Sequence, residues 1–344
     1  MDTEPEGEQV QIPTFTTSER RAAKRCIARW WWEYREGLRP PDPNIKLWFG
    51  IGIHEALAVY YGRTGYKRDR SYIDRWREYC DADEYSRAIR VRLDDTGKDE
   101  SEWMDARALG ENLLLEYPEW WGGDPNWDVI ATERPFAIEI PDPDDPDQTV
   151  GIFKSTFDGV YRDKSDGRIR LMEHKTTTDT NTSWLALDDQ GGAYWALAPL
   201  ILRDSGVLGP RDSIHSIQYN FIRKAKPDDR PRNAAGLYLN QNGSVSKVQP
   251  KPRFFRPDPV RRTKREQATQ IRRIADELLA LERFRTGELR ITKTPTRDCH
   301  WDCAFFQMCQ LHEMGGPDWT EYRDAVYLVE DPYSRYKLRK SASS

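Results

Sequence analysis

Two groups of residues in this chain have types and spacings that can do chemistry. Asp158, Glu173 and Lys175 lie near the middle; Cys26 stands near the start, and Cys299, Cys303 and Cys309 cluster near the end. Two carboxylates a few ångströms apart repel strongly unless a hard divalent cation sits between them, and oxygen ligands suit Mg²⁺ or Mn²⁺. A lysine beside such an ion can orient or help deprotonate a water and stabilise a pentavalent phosphate. The central group is therefore suited to cutting phosphodiesters. Three cysteines at metal-ligand spacing want a fourth thiolate, which Cys26 supplies if the fold brings the two ends together. The cysteines would then staple the chain around its catalytic core.

The elements around the acids decide whether they can cooperate. Gly151 to Arg162 and Arg168 to Thr176 read as two strands of a β-hairpin around Ser165-Asp166-Gly167. A two-residue turn at Asp166-Gly167 sets Asp158 opposite Lys175. A four-residue loop from Lys164 to Gly167 sets Asp158 opposite Glu173, and a three-residue loop separates the acids onto opposite faces. Cooperation thus requires an even loop. Glu-x-Lys alone means little where 32% of residues are charged; what distinguishes this one is its apolar lead-in, Leu171-Met172, and the strand-like Ile152 to Phe157 before Asp158.

Elsewhere, Thr16 and Glu19 read as a capping box opening a helix that carries Cys26 and ends at Gly37. Leu47 to Tyr61 reads as a second helix with His54 near its middle, and Val129 to Ile140 as a strand. Trp184 to Leu202 and Pro259 to Arg285 read as helices, with Ile214 to Arg223 a strand between them. The chain divides into an acidic disordered tail (1–13), N-terminal helices (14–63), a helical insertion or cap (64–125), an α/β core (126–290), the cysteine segment (291–325) and a C-terminal tail (326–344) whose last residues, Ser341 to Ser344, fray.

With 344 residues and 38% hydrophobic content the chain can bury a sizeable core. It has no apolar run of membrane-spanning length and no signal sequence, so a soluble cytoplasmic protein is expected. Five cysteines, three tightly grouped, fit reduced metal-binding thiols better than disulfides, with Cys80 a spare. The net charge of -4 gives no global attraction to nucleic acid, so binding must rely on a locally basic cleft. The arginine- and lysine-rich stretches at 20–29 and 253–273 are the candidates; as isolated features they read as solvated helix faces.

Together these features resemble the RecB-like nucleases of the PD-(D/E)xK superfamily, specifically the iron-sulphur branch that includes CRISPR-associated adaptation nucleases and the AddB nuclease domain. The resemblance runs from about Thr14 to His312. It implies a restriction-endonuclease-like α/β core, a small mixed sheet flanked by helices. It matches His54 to a metal-binding histidine, Asp158 to the motif aspartate (preceded by Phe157 where the superfamily name has proline), Glu173-His174-Lys175 to Glu-x-Lys, and Gln190 and Tyr194 to Gln-x-x-x-Tyr. On this basis Asp158, Glu173, Lys175, Gln190 and Tyr194 are catalytic, and His54, Asp158 and Glu173 bind Mg²⁺ or Mn²⁺. Glu133 resembles an acidic position upstream of the aspartate, although an ordinary surface salt bridge explains it as well.

The resemblance also implies a [4Fe-4S] cluster on Cys26, Cys299, Cys303 and Cys309. Relatives space the last three cysteines with two and then five intervening residues, whereas here the intervals are three and five. Zinc is the alternative, with His300 or His312 able to replace one thiolate. The implied activity is a metal-dependent DNA exonuclease acting on single-stranded or frayed ends, with possible nicking, in recombination, end resection or CRISPR adaptation; a stand-alone chain also suits a phage genome. The alternatives are a non-catalytic DNA-binding or assembly subunit and a zinc-stabilised endonuclease.

Overall fold

The computed structural model of the protein describes residues 12–62, 71–97 and 100–333, without the side chain of Arg134. The expectations for the acidic tail over 1–11, for 64–70 and 98–99 of the helical segment, and for fraying at Ser341 to Ser344 lie outside the described residues. In chain order the elements are β1 (Thr14–Thr16), α1 (Thr17–Arg25), α2 (Ile27–Trp30), β2 (Leu38–Arg39), α3 (Ile45–Gly62), α4 (Ser71–Asp81), α5 (Glu84–Asp95) and α6 (Ser101–Trp121). There follow β3 (Trp127–Pro141), β4 (Thr149–Asp163), β5 (Ile169–Thr177), α7 (Asp189–Asp204), β6 (Ile214–Arg223), β7 (Phe254–Phe255), α8 (Lys264–Arg285), α9 (Cys299–Asp302), α10 (Phe306–Met314), α11 (Asp318–Val326) and β8 (Leu328–Val329). Among the described residues, no helix is long and apolar enough to cross a membrane.

One compact unit comprises Asn44–Arg134 and Phe157–Arg262. Its sheet is mixed: β4 and β5 are antiparallel, β5 and β6 parallel, and β6 and β7 antiparallel. Helix α3 lies against β5 and α7 against β6, the flanked mixed sheet of an α/β fold. Gly159 pairs with Met172 and Arg162 with Ile169, a register that sets Asp158 opposite Glu173. The hairpin therefore closes through the four-residue loop Lys164 to Gly167 and not through a two-residue turn. Asp163 is the reason: its carboxylate accepts from the Ser165 N–H (2.9 Å) and hydroxyl, and its carbonyl from the Gly167 N–H at 2.7 Å.

The helices of this unit fix α3. Asn44 Oδ1 accepts the Leu47 N–H at 2.9 Å, capping the helix start. Trp48, Ile53, Ala56, Leu57 and Tyr60 are buried with Trp76, Tyr79 and Trp103 of α4 and α6. The indole of Trp48 lies 5.6 Å from the rings of Trp76, Tyr79 and Trp103, and its N–H donates to Ser86 Oγ at 2.8 Å. Truncating one such tryptophan costs about 3–5 kcal/mol. Cys80 is buried in this core, and burial pushes its thiol up to about 12, so it is packed and inert.

The other unit comprises the described parts of Met1–Pro43, Pro135–Thr156 and Thr263–Ser344. The single helix expected from Thr16 to Gly37 is broken. Thr16 does cap α1, accepting the Glu19 N–H at 3.2 Å, but Cys26 adopts an extended conformation (φ -170°, ψ 126°) between α1 and α2. A short π-helical turn, Trp31–Arg35, follows. Trp30 and Trp32 are buried, and the Glu19 carboxylate is turned inward to accept from the Trp30 indole at 3.0 Å. Burial therefore outweighs local propensity. β2 pairs antiparallel with β8, so part of the segment expected to be a C-terminal tail is a strand. The helix expected from Pro259 begins only at Thr263, where a reciprocal capping box with Glu266 starts α8. Likewise the helix expected from Trp184 begins at Asp189, capped by Asp188 after a 3₁₀ turn, Leu185–Leu187.

Candidate active site

Asp158 on β4 is buried, and its two oxygens are separately engaged. Oδ2 accepts the His174 backbone N–H at 2.7 Å, while Oδ1 lies 3.1 Å from His54 Nδ1, brought in by α3. Glu133 Oε1 of β3 lies 3.9 Å from the same imidazole nitrogen. Among the described residues, His54, Glu133 and Asp158 form the one group of three potential metal ligands whose atoms lie within 4.8 Å of one another. Glu133 has a φ of 42°, in the left-handed region that costs a non-glycine residue about 1–3 kcal/mol. The strain thus falls at the residue whose carboxylate completes the group.

Glu173 is buried beside this group, outside the closest three. Its Oε1 accepts from Lys175 Nζ at 2.7 Å, and its Oε2 is buried without a hydrogen-bond partner among the described residues. Burial would raise the Asp158 carboxyl, but the adjacent His54 cation and the His174 N–H hold it down to about 2. Burial would lower the His54 imidazole, but Asp158, Glu133 and Glu173 lift it to about 9. For Glu173 burial wins: together with the Asp158 charge it pushes the carboxyl up to about 8, with Lys175 only partly offsetting. At neutral pH the group therefore carries protons on His54 and Glu173 that a divalent cation can replace.

Lys175 Nζ also donates to Gln190 Oε1 at 2.8 Å, and Gln190 Nε2 donates to the Tyr194 hydroxyl at 3.0 Å. Tyr194 is buried edge-to-face against Phe157, next to Asp158. Gln190 and Tyr194, one turn apart on α7, thus line up behind the lysine. The glycine at 191 has a packing reason: an added Cβ would lie 2.1 Å from the Tyr219 hydroxyl, which donates to Asp188 at 2.9 Å. Close approach of α7 to β6 requires the missing side chain.

Behind β5 lies a buried polar network that no local sequence pattern indicates. Arg256 is held between the indoles of Trp121 and Trp127, 3.8 and 4.1 Å from their centroids, and pairs with both oxygens of Asp124. Its Nε donates to Asn220 Oδ1 at 3.2 Å. Because arginine can only donate, this contact turns the Asn220 amide so that Nδ2 donates to the Tyr117 hydroxyl and, at 2.8 Å, to His174 Nδ1. The neutral His174 ring then carries its proton on Nε2. Burial, opposed by Asp158 and aided by His54 and Arg256, pulls this imidazole down to about 3.

Cys26, Cys299, Cys303 and Cys309 belong to the other unit and are free thiols. Cys26, Cys303 and Cys309 pack against one cluster built from Ala28, Trp32, Leu38, Phe305, Met308 and Tyr327. Cys26 Sγ accepts the Thr294 N–H and Cys299 Sγ the Thr296 N–H, both at 3.4 Å. Among the described residues, no three sulfurs approach within 4.8 Å of one another. His300 Nδ1 donates to the Arg297 carbonyl and His312 Nδ1 accepts from Lys293.

The basic stretch expected to track phosphates is partly spent on the fold. Arg253 binds Glu116 and Asn112, Arg256 binds Asp124, and Arg262 donates to the carbonyls of Leu185 and Asp188. Arg20 of the earlier stretch is buried against Glu277. Buried guanidinium groups need carboxylate partners, which Arg20, Arg253 and Arg256 find inside the fold, while Arg262 is half-buried and gives its hydrogen bonds to two backbone carbonyls. A model of the PD-(D/E)XK nuclease superfamily matches residues 14–310 of the chain. No curated protein matches it significantly.

Proposed function

Because the chain belongs to the PD-(D/E)XK nuclease superfamily, we propose that it is a metal-dependent deoxyribonuclease that removes nucleotides from single-stranded or frayed DNA ends. The observation that carries this reading is the convergence of His54, Glu133 and Asp158 within 4.8 Å, beside a buried Glu173 oxygen that has no hydrogen-bond partner among the described residues. An unpaired buried carboxylate oxygen is costly, and a cation is the natural partner for it. These four residues would hold Mg²⁺ or Mn²⁺, which supplies Lewis acidity toward a phosphate oxygen and a water. Lys175, kept protonated against the burial that would lower it by the Glu173 carboxylate, once a cation has displaced its proton, and by Asp188, places a positive charge where the phosphate develops negative charge. Gln190 and Tyr194 fix the lysine's direction. The His174 backbone N–H and the network from Arg256 orient Asp158 and the strand that carries Glu173.

We assign Cys26, Cys299, Cys303 and Cys309 to a structural [4Fe-4S] cluster. The backbone N–H groups directed at the sulfurs of Cys26 and Cys299 support this assignment. The decisive experiment follows loss of end label from single- and double-stranded DNA in Mg²⁺ or Mn²⁺, using anaerobically purified wild type beside Asp158→Ala. Release from the ends by the wild type alone is expected. Cuts in closed circular DNA would point to an endonuclease, and metal and DNA binding without any cleavage would point to a non-catalytic subunit.

A further inference from the structure

We propose that Lys46 and Lys224 form a clamp for a backbone phosphate of the DNA strand, roughly three nucleotides from the bond that is cut; the inference rests on the nuclease reading above. Two separate chain segments carry these lysines. Lys46 lies in the first turn of α3, the helix that carries His54, and positions 46, 50 and 54 share one helix face. Between them, Gly50 meets β5: a Cβ there would lie 3.3 Å from Thr176 Oγ1, one residue beyond Lys175. Lys224 follows β6, and its N–H donates to the carbonyl of Thr177, the last residue of β5, at 2.6 Å. Its Nζ stands 5.9 Å from the centre of the Phe49 ring of α3. The helix face and the strand end thus run together from the candidate metal site to the two ammonium groups.

The charge balance is what points to an anion. Most cations of this unit that approach the fold's interior are matched, as Arg253 is by Glu116 and Arg256 by Asp124. Among the described residues, neither Lys46 nor Lys224 has a carboxylate within 4.0 Å. Lys224 is half-buried; burial and then the charge of Lys46 lower its ammonium. Two like charges held near each other, one of them partly desolvated, are relieved by a bound anion. Eight residues of helix separate Lys46 from His54, about 12 Å along the axis, the span of roughly three to four stacked nucleotides of one strand. The substrate of the neighbouring site carries a phosphate at that distance. Ammonium groups read charge and not base identity, so the contact would be independent of sequence.

The test measures cleavage of a single-stranded oligonucleotide carrying one uncharged methylphosphonate linkage, moved stepwise away from the scissile bond. For wild type, one position should raise KM about tenfold while kcat stays within about twofold, the signature of uniform binding. Lys46→Gln/Lys224→Gln should show the same rise in KM on unmodified DNA and no further response at that position. Its salt slope of binding should fall by about 0.7, the loss of one phosphate contact, and Lys46→Arg/Lys224→Arg should restore both. Circular dichroism of the doubly substituted protein should match wild type, since one side chain is exposed and the other half-buried. A wild type that cleaves DNA beside a double variant with unchanged KM, salt slope and linkage response would overturn the clamp alone. A wild type that cleaves no DNA would remove the nuclease reading and the clamp with it.

Discussion

Replacing Glu133 by glycine should move stability in opposite directions with and without metal. At a φ of 42° the wild-type residue sits in the left-handed region, which costs a residue with a Cβ about 1–2 kcal/mol. Glycine removes that cost but adds unfolded-chain freedom worth about 0.5–1 kcal/mol. In chelator the variant should therefore be as stable as wild type, or more stable by up to about 1.5 kcal/mol. With Mn²⁺ at 100 times its wild-type Kd, binding adds about 2.7 kcal/mol to wild type. Losing a ligand that stands 3.9 Å from His54 should weaken affinity at least about 100-fold, by comparison with the 10–100-fold cost of losing outer support for a metal ligand. The variant would then gain only about 0.4 kcal/mol. Urea unfolding of both proteins, in chelator and in Mn²⁺, should give curves that exchange order, with wild type ahead by about 1–2 kcal/mol in metal. Glu133→Gln, which keeps the strain and loses the ligand, should be the less stable of the two variants in both conditions. Equal stabilisation of all three proteins by Mn²⁺, or a loss above about 1 kcal/mol for glycine in chelator, would refute the assignment of Glu133 as a strained ligand.

Arg256→Met should destabilise the protein by about 3–5 kcal/mol in urea unfolding, because Asp124 is left charged and buried; Arg256→Met/Asp124→Asn should recover much of that loss, and equal losses would remove the network argument. Since His54 and Glu173 are raised to about 9 and about 8, both are protonated at neutral pH and metal must displace those protons. Mn²⁺ affinity measured by calorimetry should rise between pH 6 and 8, by up to about tenfold per unit for each proton released, and flatten above about pH 9; a flat profile from pH 6 to 9 would contradict the proposed ligands. Cys303→Ser should lose iron, sulfide and much of its soluble yield, because cluster binding becomes folding stability. Full yield with unchanged cofactor content would refute the staple.

Part of the site is legible from local chemistry alone. Strand alternation puts Asp158 and Glu173 on one face for any even loop, and helix geometry sets Gln190 beneath Tyr194. Thr16 can be read as a cap because its bond to Glu19 spans only three residues. The choice between two even loops is not legible in this way, because it depends on the Asp163 side chain meeting Ser165. Nor can local propensity break the first helix at Cys26, where the burial of Trp30 and Trp32 outweighs it.

The α/β class, the pairing of acids with a lysine on adjacent strands, and the division of four cysteines between the two ends are written in the amino-acid order. They follow from periodicity and residue chemistry that act over a few positions. Which charges remain available is settled only when the chain folds. Folding spends Arg253, Arg256 and Arg262 on internal partners, puts Glu133 in a left-handed conformation with its carboxylate 3.9 Å from His54, and leaves Lys46 and Lys224 with no carboxylate within 4.0 Å among the described residues. Those outcomes depend on contacts between residues far apart in the chain, where burial sets which polar groups must be paired and no short-range pattern records the partner.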